Sequence, residues 1–282
     1  FFAVASSYGL EHALSNGYTI PEVDAITGPV IGRPKTATYR LLDLVGLDVM
    51  AHVNNNLYDA VPNDAYREML RPQRTAALMS AMLDRKWLGN KVKQGFYREE
   101  RVGGKREFWA LNPQTMAYEA APKIRFDSIG AVRNVDDLGE RLRKLLSFDD
   151  RAANYARDLL YYGFAYAAYV APEIAYRLSD VDDAMRWGFS HEAGPFQMWD
   201  MLGVAETAER MEAQGLTIAP WVKQMLAGGH DSFYKNGSVY DFELKQYRPL
   251  EADNNVIRVA NLRAAGKTVE RSESASLHDM GN

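Results

Sequence analysis

The stretch Gly194-Pro195-Phe196-Gln197-Met198-Trp199-Asp200-Met201-Leu202-Gly203 has a degraded copy upstream, Ala37-Thr38-Tyr39-Arg40-Leu41-Leu42-Asp43-Leu44-Val45-Gly46. Both set an aspartate three residues before a glycine, in an apolar helical pattern. A capped helix start precedes each: Ser179-Asp180-Val181-Asp182 in the later copy, Thr19-Ile20-Pro21-Glu22-Val23-Asp24 in the earlier one. An internal repeat outranks any local motif, because it reports a duplicated supersecondary unit. The chain therefore reads as mainly α, with two tandem helical domains.

Working outward, Phe1, Val4, Ala5, Tyr8 and His12 follow helical spacing up to a stop at Ser15-Asn16-Gly17. Thr19 and Glu22 form a capping box for a short helix to about Ile26. From Tyr39 to about Tyr58 one helix is expected, with Leu42, Val45, Val49, Val53 and Leu57 as its core stripe. A helix over Thr75 to Lys86 and a hairpin around Gly103-Gly104 complete the first domain, residues 1–125. In the second, residues 126–250, Asn134 or Asp137 caps a helix, and a long aromatic helix runs from about Asp149 to Leu178, kinked at Pro172. Helices at Ala208 to Gln214 and Pro220 to Ala227 lead to a hairpin at Asn236-Gly237. Residues 251–282, with an apolar patch at Val256 to Leu262 and then Ser272, Ser274 and Ser276, read as a linker.

Composition narrows the function. A formal net charge of -4 and no basic run argue against nucleic acid as a partner, and the absence of cysteine removes thiolate chemistry. The apolar run Tyr161 to Pro172 is too short to span a bilayer. Phe1-Phe2-Ala3-Val4 lacks a cap and a basic leader, so the chain is expected to begin inside a longer parent.

Candidate chemistry is sparse. His12, His52, His191, His230 and His278 have no zinc-ligand spacing. Asp180, Asp182 and Asp183 read as carboxylates in a first helical turn, where they favour the helix dipole, rather than as a metal cluster. His191-Glu192 imitates a base with its orienter, but adjacent residues point apart. Asp43 and Asp200, matched by the repeat, are expected to bond the backbone of the loop that precedes each.

Several motifs in order resemble the C-terminal domains of 3-hydroxyacyl-CoA dehydrogenases. They are the Gly32-Arg33-Pro34-Lys35-Thr36 loop before Asp43-Leu44-Val45-Gly46-Leu47-Asp48, Leu88-Gly89-Asn90-Lys91 leading to Gln94-Gly95-Phe96-Tyr97, and Gly194 to Asp200. The similarity is to the long prokaryotic form, in which two such domains precede an enoyl-CoA hydratase domain. It implies a helical fold like the C-terminal domain of 6-phosphogluconate dehydrogenase, each unit ending here in a short hairpin. It implies a cytoplasmic enzyme of fatty-acid β-oxidation that oxidises 3-hydroxyacyl-CoA with NAD, and a possible homodimer.

In that family the catalytic histidine and glutamate sit in a Rossmann domain, and no Gly-x-Gly-x-x-Gly follows a strand here. The expectation is a fragment, inactive alone, with no catalytic, cofactor or metal residues of its own and with the Rossmann and hydratase domains as partners in the parent chain. The tail from Leu277 to Gly281 resembles the start of the hydratase domain. By resemblance Arg33, Lys35 and Thr36 line the acyl-CoA side of the cleft, where cations suit an anionic CoA ester. A solvated loop with ordinary surface charge is the competing reading of that loop. For the whole chain the competing class is a non-enzymatic helical interaction module.

Overall fold

The computed structural model describes residues 1–250, 266–271 and 276–279. The apolar patch Val256 to Leu262 and the serines Ser272 and Ser274 lie outside them. Helix α1 (Phe2–Ser15) ends at Asn16, and the capping box opens α2 (Ile20–Ile26), Thr19 N–H donating to Glu22 Oε2 at 2.8 Å. Then come α3 (Tyr39–Val45), α4 (Leu47–Ala60), α5 (Gln73–Asp84) and a sheet of β1 (Tyr97–Val102), β2 (Lys105–Leu111) and β3 (Tyr118–Ala120). After α6 (Asp127–Val132) and α7 (Leu138–Leu146), the same order recurs: α8 (Arg151–Ile174), α9 (Leu178–Phe189), α10 (Pro195–Leu202), α11 (Val204–Ala213), α12 (Pro220–Ala227). A second sheet, β4 (Tyr234–Lys235), β5 (Ser238–Asp241) and β6 (Gln246–Pro249), closes the recurrence. A short pair, β7 (Thr268–Arg271) with β8 (Ser276–His278), follows.

Several expectations need correction. The single helix from Tyr39 to Tyr58 is two, because Gly46 at φ 102° and ψ 130° leaves helical space in a conformation that side chains avoid. Gly203, at φ 86° and ψ 114°, divides α10 from α11 in the same way. The expected core stripe is also wrong for most of its length. Leu42 is buried, but Val45, Val49, Val53 and Leu57 are 42%, 43%, 39% and 37% exposed. Periodicity identifies an apolar face but not what covers it.

Each expected hairpin is instead three-stranded, β3 and β6 adding the outer strand. The turns themselves match their sequences: Gly103-Gly104 and Asn236-Gly237 have positive φ at both central positions. α8 starts at its Asp150 cap and stops at Ile174, so Pro172 sits in the last turn and ends the helix rather than kinking its middle. Proline has no N–H for the Ala168 carbonyl four residues back. Trp221 Nε1 donates to that carbonyl at 2.8 Å. Asp137 caps α7, and the short helix α6, which the sequence reading did not anticipate, opens the second unit just after the expected boundary at residue 125. The cap position of α9 is Arg177 rather than Ser179, Arg177 N–H donating to Asp180 Oδ2.

The matching helices α1 and α8 pack on each other, so close at Gly9 that an added Cβ would lie 2.9 Å from Leu159 Cδ1. Tyr155 donates its hydroxyl to the Gly9 carbonyl at 2.9 Å, and Glu192 N–H donates to the Gly32 carbonyl at 2.8 Å. One continuous core runs from Leu10 through Tyr155 and Trp199 to Tyr240. Among the described residues no helix is long and apolar enough to cross a membrane.

Candidate functional site: an apolar pocket between the repeats

One buried and one half-buried carboxylate fix each corner that precedes the site: Asp43 with Asp24, and Asp182 with Asp200. Asp24 accepts from the backbone N–H groups of Thr38, Tyr39 and Arg40, and from the Tyr97 hydroxyl at 2.9 Å. Asp182, in the matching place, accepts from Phe196 and Gln197 N–H and from the Tyr234 hydroxyl at 2.6 Å. Asp182 therefore caps α10, not its own helix, which corrects the expectation of a first-turn carboxylate in α9. Asp43 accepts from Phe96 and Tyr97 N–H, and Asp200 from Phe233 and Tyr234 N–H. The loop each of these aspartates holds follows it by tens of residues, whereas the sequence suggested the loop before it.

Burial pushes Asp24, Asp43 and Asp200 up to about 6 and Asp182 up to about 7, and the hydrogen bonds oppose that rise. The folded state thus binds protons that the unfolded state, with carboxyls near 3.8, has released. Between about pH 4 and pH 7 stability from these groups is highest at the acid end and is lost as pH rises. The melting temperature, followed by circular dichroism, is expected to fall from pH 5 to pH 8, and Asp182→Asn should flatten that slope.

The clamped α2–α3 corner presents the Gly32-to-Thr38 loop to a pocket of about 580 Å³, within the range of small-molecule sites. α1 contributes Phe2, Ser6 and Leu10, α3 and α4 contribute Val45, Met50, Val53 and Asn54, and the second half contributes Phe189 and His191. Phe2 stacks on Phe189 with ring centroids 3.9 Å apart, joining the halves at the rim. The lining is mostly apolar side chains, with a few polar groups among them.

Of the residues singled out by sequence, Arg33 and Thr36 line this pocket, and Lys35 is exposed and outside it. Arg33 also lines a smaller cavity beside it, together with Phe2, Ser6 and His191. Its Nε is buried with no hydrogen-bond partner. Burial lowers the guanidinium to about 10, leaving it cationic at neutral pH. Burial and then the Arg33 charge hold His191 down at about 3, so its ring is neutral. Glu192 does not orient His191: its carboxylate forms a two-point pair with Arg141 Nη2 at 2.7 Å and 2.7 Å. The side chain of Asn54 donates to Ser7 Oγ at 3.3 Å and leaves its Oδ1 buried and unpartnered. Asn54, Phe189 and Val53 carried no sequence signal of a shared site, since only packing across the repeats brings them together. No grouping of histidine and carboxylate side chains suited to a metal occurs among the described residues.

Residues 7–99, which carry most of the pocket, match the family model described as 3-hydroxyacyl-CoA dehydrogenase, C-terminal domain. A relative from Bacillus subtilis named probable 3-hydroxyacyl-CoA dehydrogenase is 36% identical over 282 aligned residues, covering 98% of this chain and 35% of that protein. A putative fatty acid oxidation complex trifunctional enzyme of Rickettsia felis is 28% identical over 236 residues, 83% of this chain and 28% of its own length. A probable 3-hydroxyacyl-CoA dehydrogenase of Deinococcus radiodurans is 33% identical over 92 residues, 33% of this chain and 25% of its own. The chain spans 35% and 28% of the first two of these relatives. Residues 7–99 of this chain belong to the 3-hydroxyacyl-CoA dehydrogenase C-terminal domain family.

Proposed function

We propose that this chain is the helical part of an NAD-dependent 3-hydroxyacyl-CoA dehydrogenase acting in cytoplasmic fatty-acid β-oxidation. Residues 1–125 supply the substrate-side wall, and residues 126–250, a second copy of the same unit, complete it. Supporting this reading is the coincidence of the family match with the pocket that Arg33 and Thr36 line. Residues 251–282 lead toward a hydratase domain, in keeping with the trifunctional name of the Rickettsia relative. Hydride chemistry belongs to NAD on a Rossmann domain of the parent. This chain's own residues bind and orient the acyl-CoA and exclude water from it. Arg33 and Thr36 act within the pocket, and exposed Lys35 meets the anionic CoA outside it.

Two assays test the reading. The parent enzyme is expected to oxidise NADH with acetoacetyl-CoA in a spectrophotometric assay, and this chain alone is expected not to. Turnover by the isolated chain, or none by the parent, overturns the proposal. In the parent, Arg33→Ala combined with Lys35→Ala should raise KM for the acyl-CoA by about tenfold, the scale of one charged hydrogen bond. An unchanged KM removes the loop from the substrate site.

A further inference from the structure

The turn Pro29–Ile31 and Gly32 lead into Arg33 and Thr36, yet their backbone is held by the other repeat. Within the turn, Ile31 and Arg33 N–H both donate to the Gly28 carbonyl, which leaves the carbonyls of Val30 and Gly32 to outside partners. Arg141 of α7 is 8% exposed, and its guanidinium donates from all three nitrogens. Nε reaches the Val30 carbonyl at 3.3 Å, and Nη1 reaches the carbonyls of Val135 and Asp136 at 3.0 Å each. Nη2 donates to both carboxylate oxygens of Glu192. Glu192 then returns to the same turn, its backbone N–H donating to the Gly32 carbonyl at 2.8 Å. Gly32 has φ 74°, and a Cβ there would stand 3.0 Å from Leu138 Cδ1 and 3.4 Å from Glu192 Cβ. Three residues of the second repeat thus grip one short turn of the first.

We infer that Arg141 and Glu192 are positioning residues, through which the second repeat holds the loop of the first in the shape that meets the acyl-CoA. The inference rests on the acyl-CoA reading above and deepens it by giving the second copy a part in substrate affinity, exerted through the loop backbone. Fixing the turn before a ligand arrives removes an ordering cost from the binding step. The planar fork of an arginine can bond a carboxylate and several carbonyls at once, which a lysine at 141 could not do. His191, next to Glu192, lines the same pocket as Arg33 and Thr36, so the gripping segment runs directly into the site.

Two measurements test this. Trypsin cuts after exposed Lys35 but not after Arg33, which precedes Pro34, so cleavage at Lys35 in the 282-residue chain reports opening of the loop. Exposed Lys105, at the hairpin of the same repeat, is the reference site. Glu192→Ala keeps the backbone bond to Gly32 and removes the partner of Arg141. It should speed cleavage at Lys35 by about fivefold, a scale reduced because the Glu192 side chain is 48% exposed, and leave Lys105 unchanged. Glu192→Gln, which retains an acceptor, should recover part of that difference. Arg141→Lys should act in the same direction, and combining it with Glu192→Ala should add little, because both break one pair. The half-exposed Glu192 variants keep the test decisive should Arg141→Lys fail to fold. In the parent enzyme, Glu192→Ala should raise KM for acetoacetyl-CoA by about fivefold with kcat held within about twofold, whereas simple loss of folded protein lowers kcat and leaves KM alone. Unchanged cleavage at Lys35, or equal acceleration at Lys35 and Lys105, overturns the inference. So does selective acceleration with an unchanged KM in an active parent. A wild-type parent without turnover of acetoacetyl-CoA overturns the dehydrogenase reading, and the ratio of the two cleavage rates still decides whether the second repeat holds the loop.

Discussion

Asp182→Ala is expected to lower the free energy of unfolding by about 3–5 kcal/mol, because it strands buried donors that have no access to water. The carboxylate is fully buried and accepts from Phe196 N–H, Gln197 N–H and the Tyr234 hydroxyl. Those bonds tie α9, α10 and β4 together, so their loss unseats the corner that leads α9 into the Phe189–His191 rim of the pocket. Asp182→Asn keeps an acceptor and should cost less than half as much. Urea unfolding followed by far-ultraviolet circular dichroism gives both values, and a loss below about 1 kcal/mol for the alanine variant would show that water replaces the carboxylate.

Gly194→Ala is expected to be comparably destabilising for a steric reason. A Cβ there would stand 2.2 Å from both Asp182 Cα and Asp182 Oδ1. The nearest obstacle is backbone, so α9 and α10 must separate, and overpacking of this kind costs about 1–3 kcal/mol or more. The double variant Gly194→Ala with Asp182→Ala should fall well short of the sum of the singles, since both break one contact. Gly188→Ala is the control. Its Cβ would meet nothing within 4 Å in the last turn of α9, and it should be neutral or stabilising by up to about 1 kcal/mol. Equal unfolding midpoints for Gly194→Ala and Gly188→Ala would refute the close-approach argument.

The same two residues show where sequence reading succeeds and where it stops. Gly194 and Asp200 were visible as a repeated motif, and so were their upstream counterparts around Asp43. A carboxylate four positions into a helix looks like a dipole partner for that helix, yet Asp182 caps the next one, reached by the turn at Ser190 with φ 54°. Asp43 was expected to hold its preceding loop, but the donors are Phe96 and Tyr97, more than fifty residues on. Neither partner is close enough along the chain for local spacing to report it. Val49 and Leu57 fail for another reason. Their helical spacing is sound, but the helix turns that face outward.

Residues acting over one or two turns of chain were determined by the sequence itself: the Thr19–Glu22 capping box, the stop at Gly17, the positive-φ turns and the recurrence of two helical units. Steric and hydrogen-bonding rules at that range depend only on neighbours. The sequence also carried the resemblance that the family match over residues 7–99 supports. Tertiary structure decided the rest: that the Nε of Arg33 lies buried in a cavity shared with a neutral His191, that Lys35 does not enter the pocket, and that Phe189 from one repeat stacks on Phe2 of the other. A buried charge and a pocket are products of long-range packing, in which desolvation is set by whatever side chains the fold brings together.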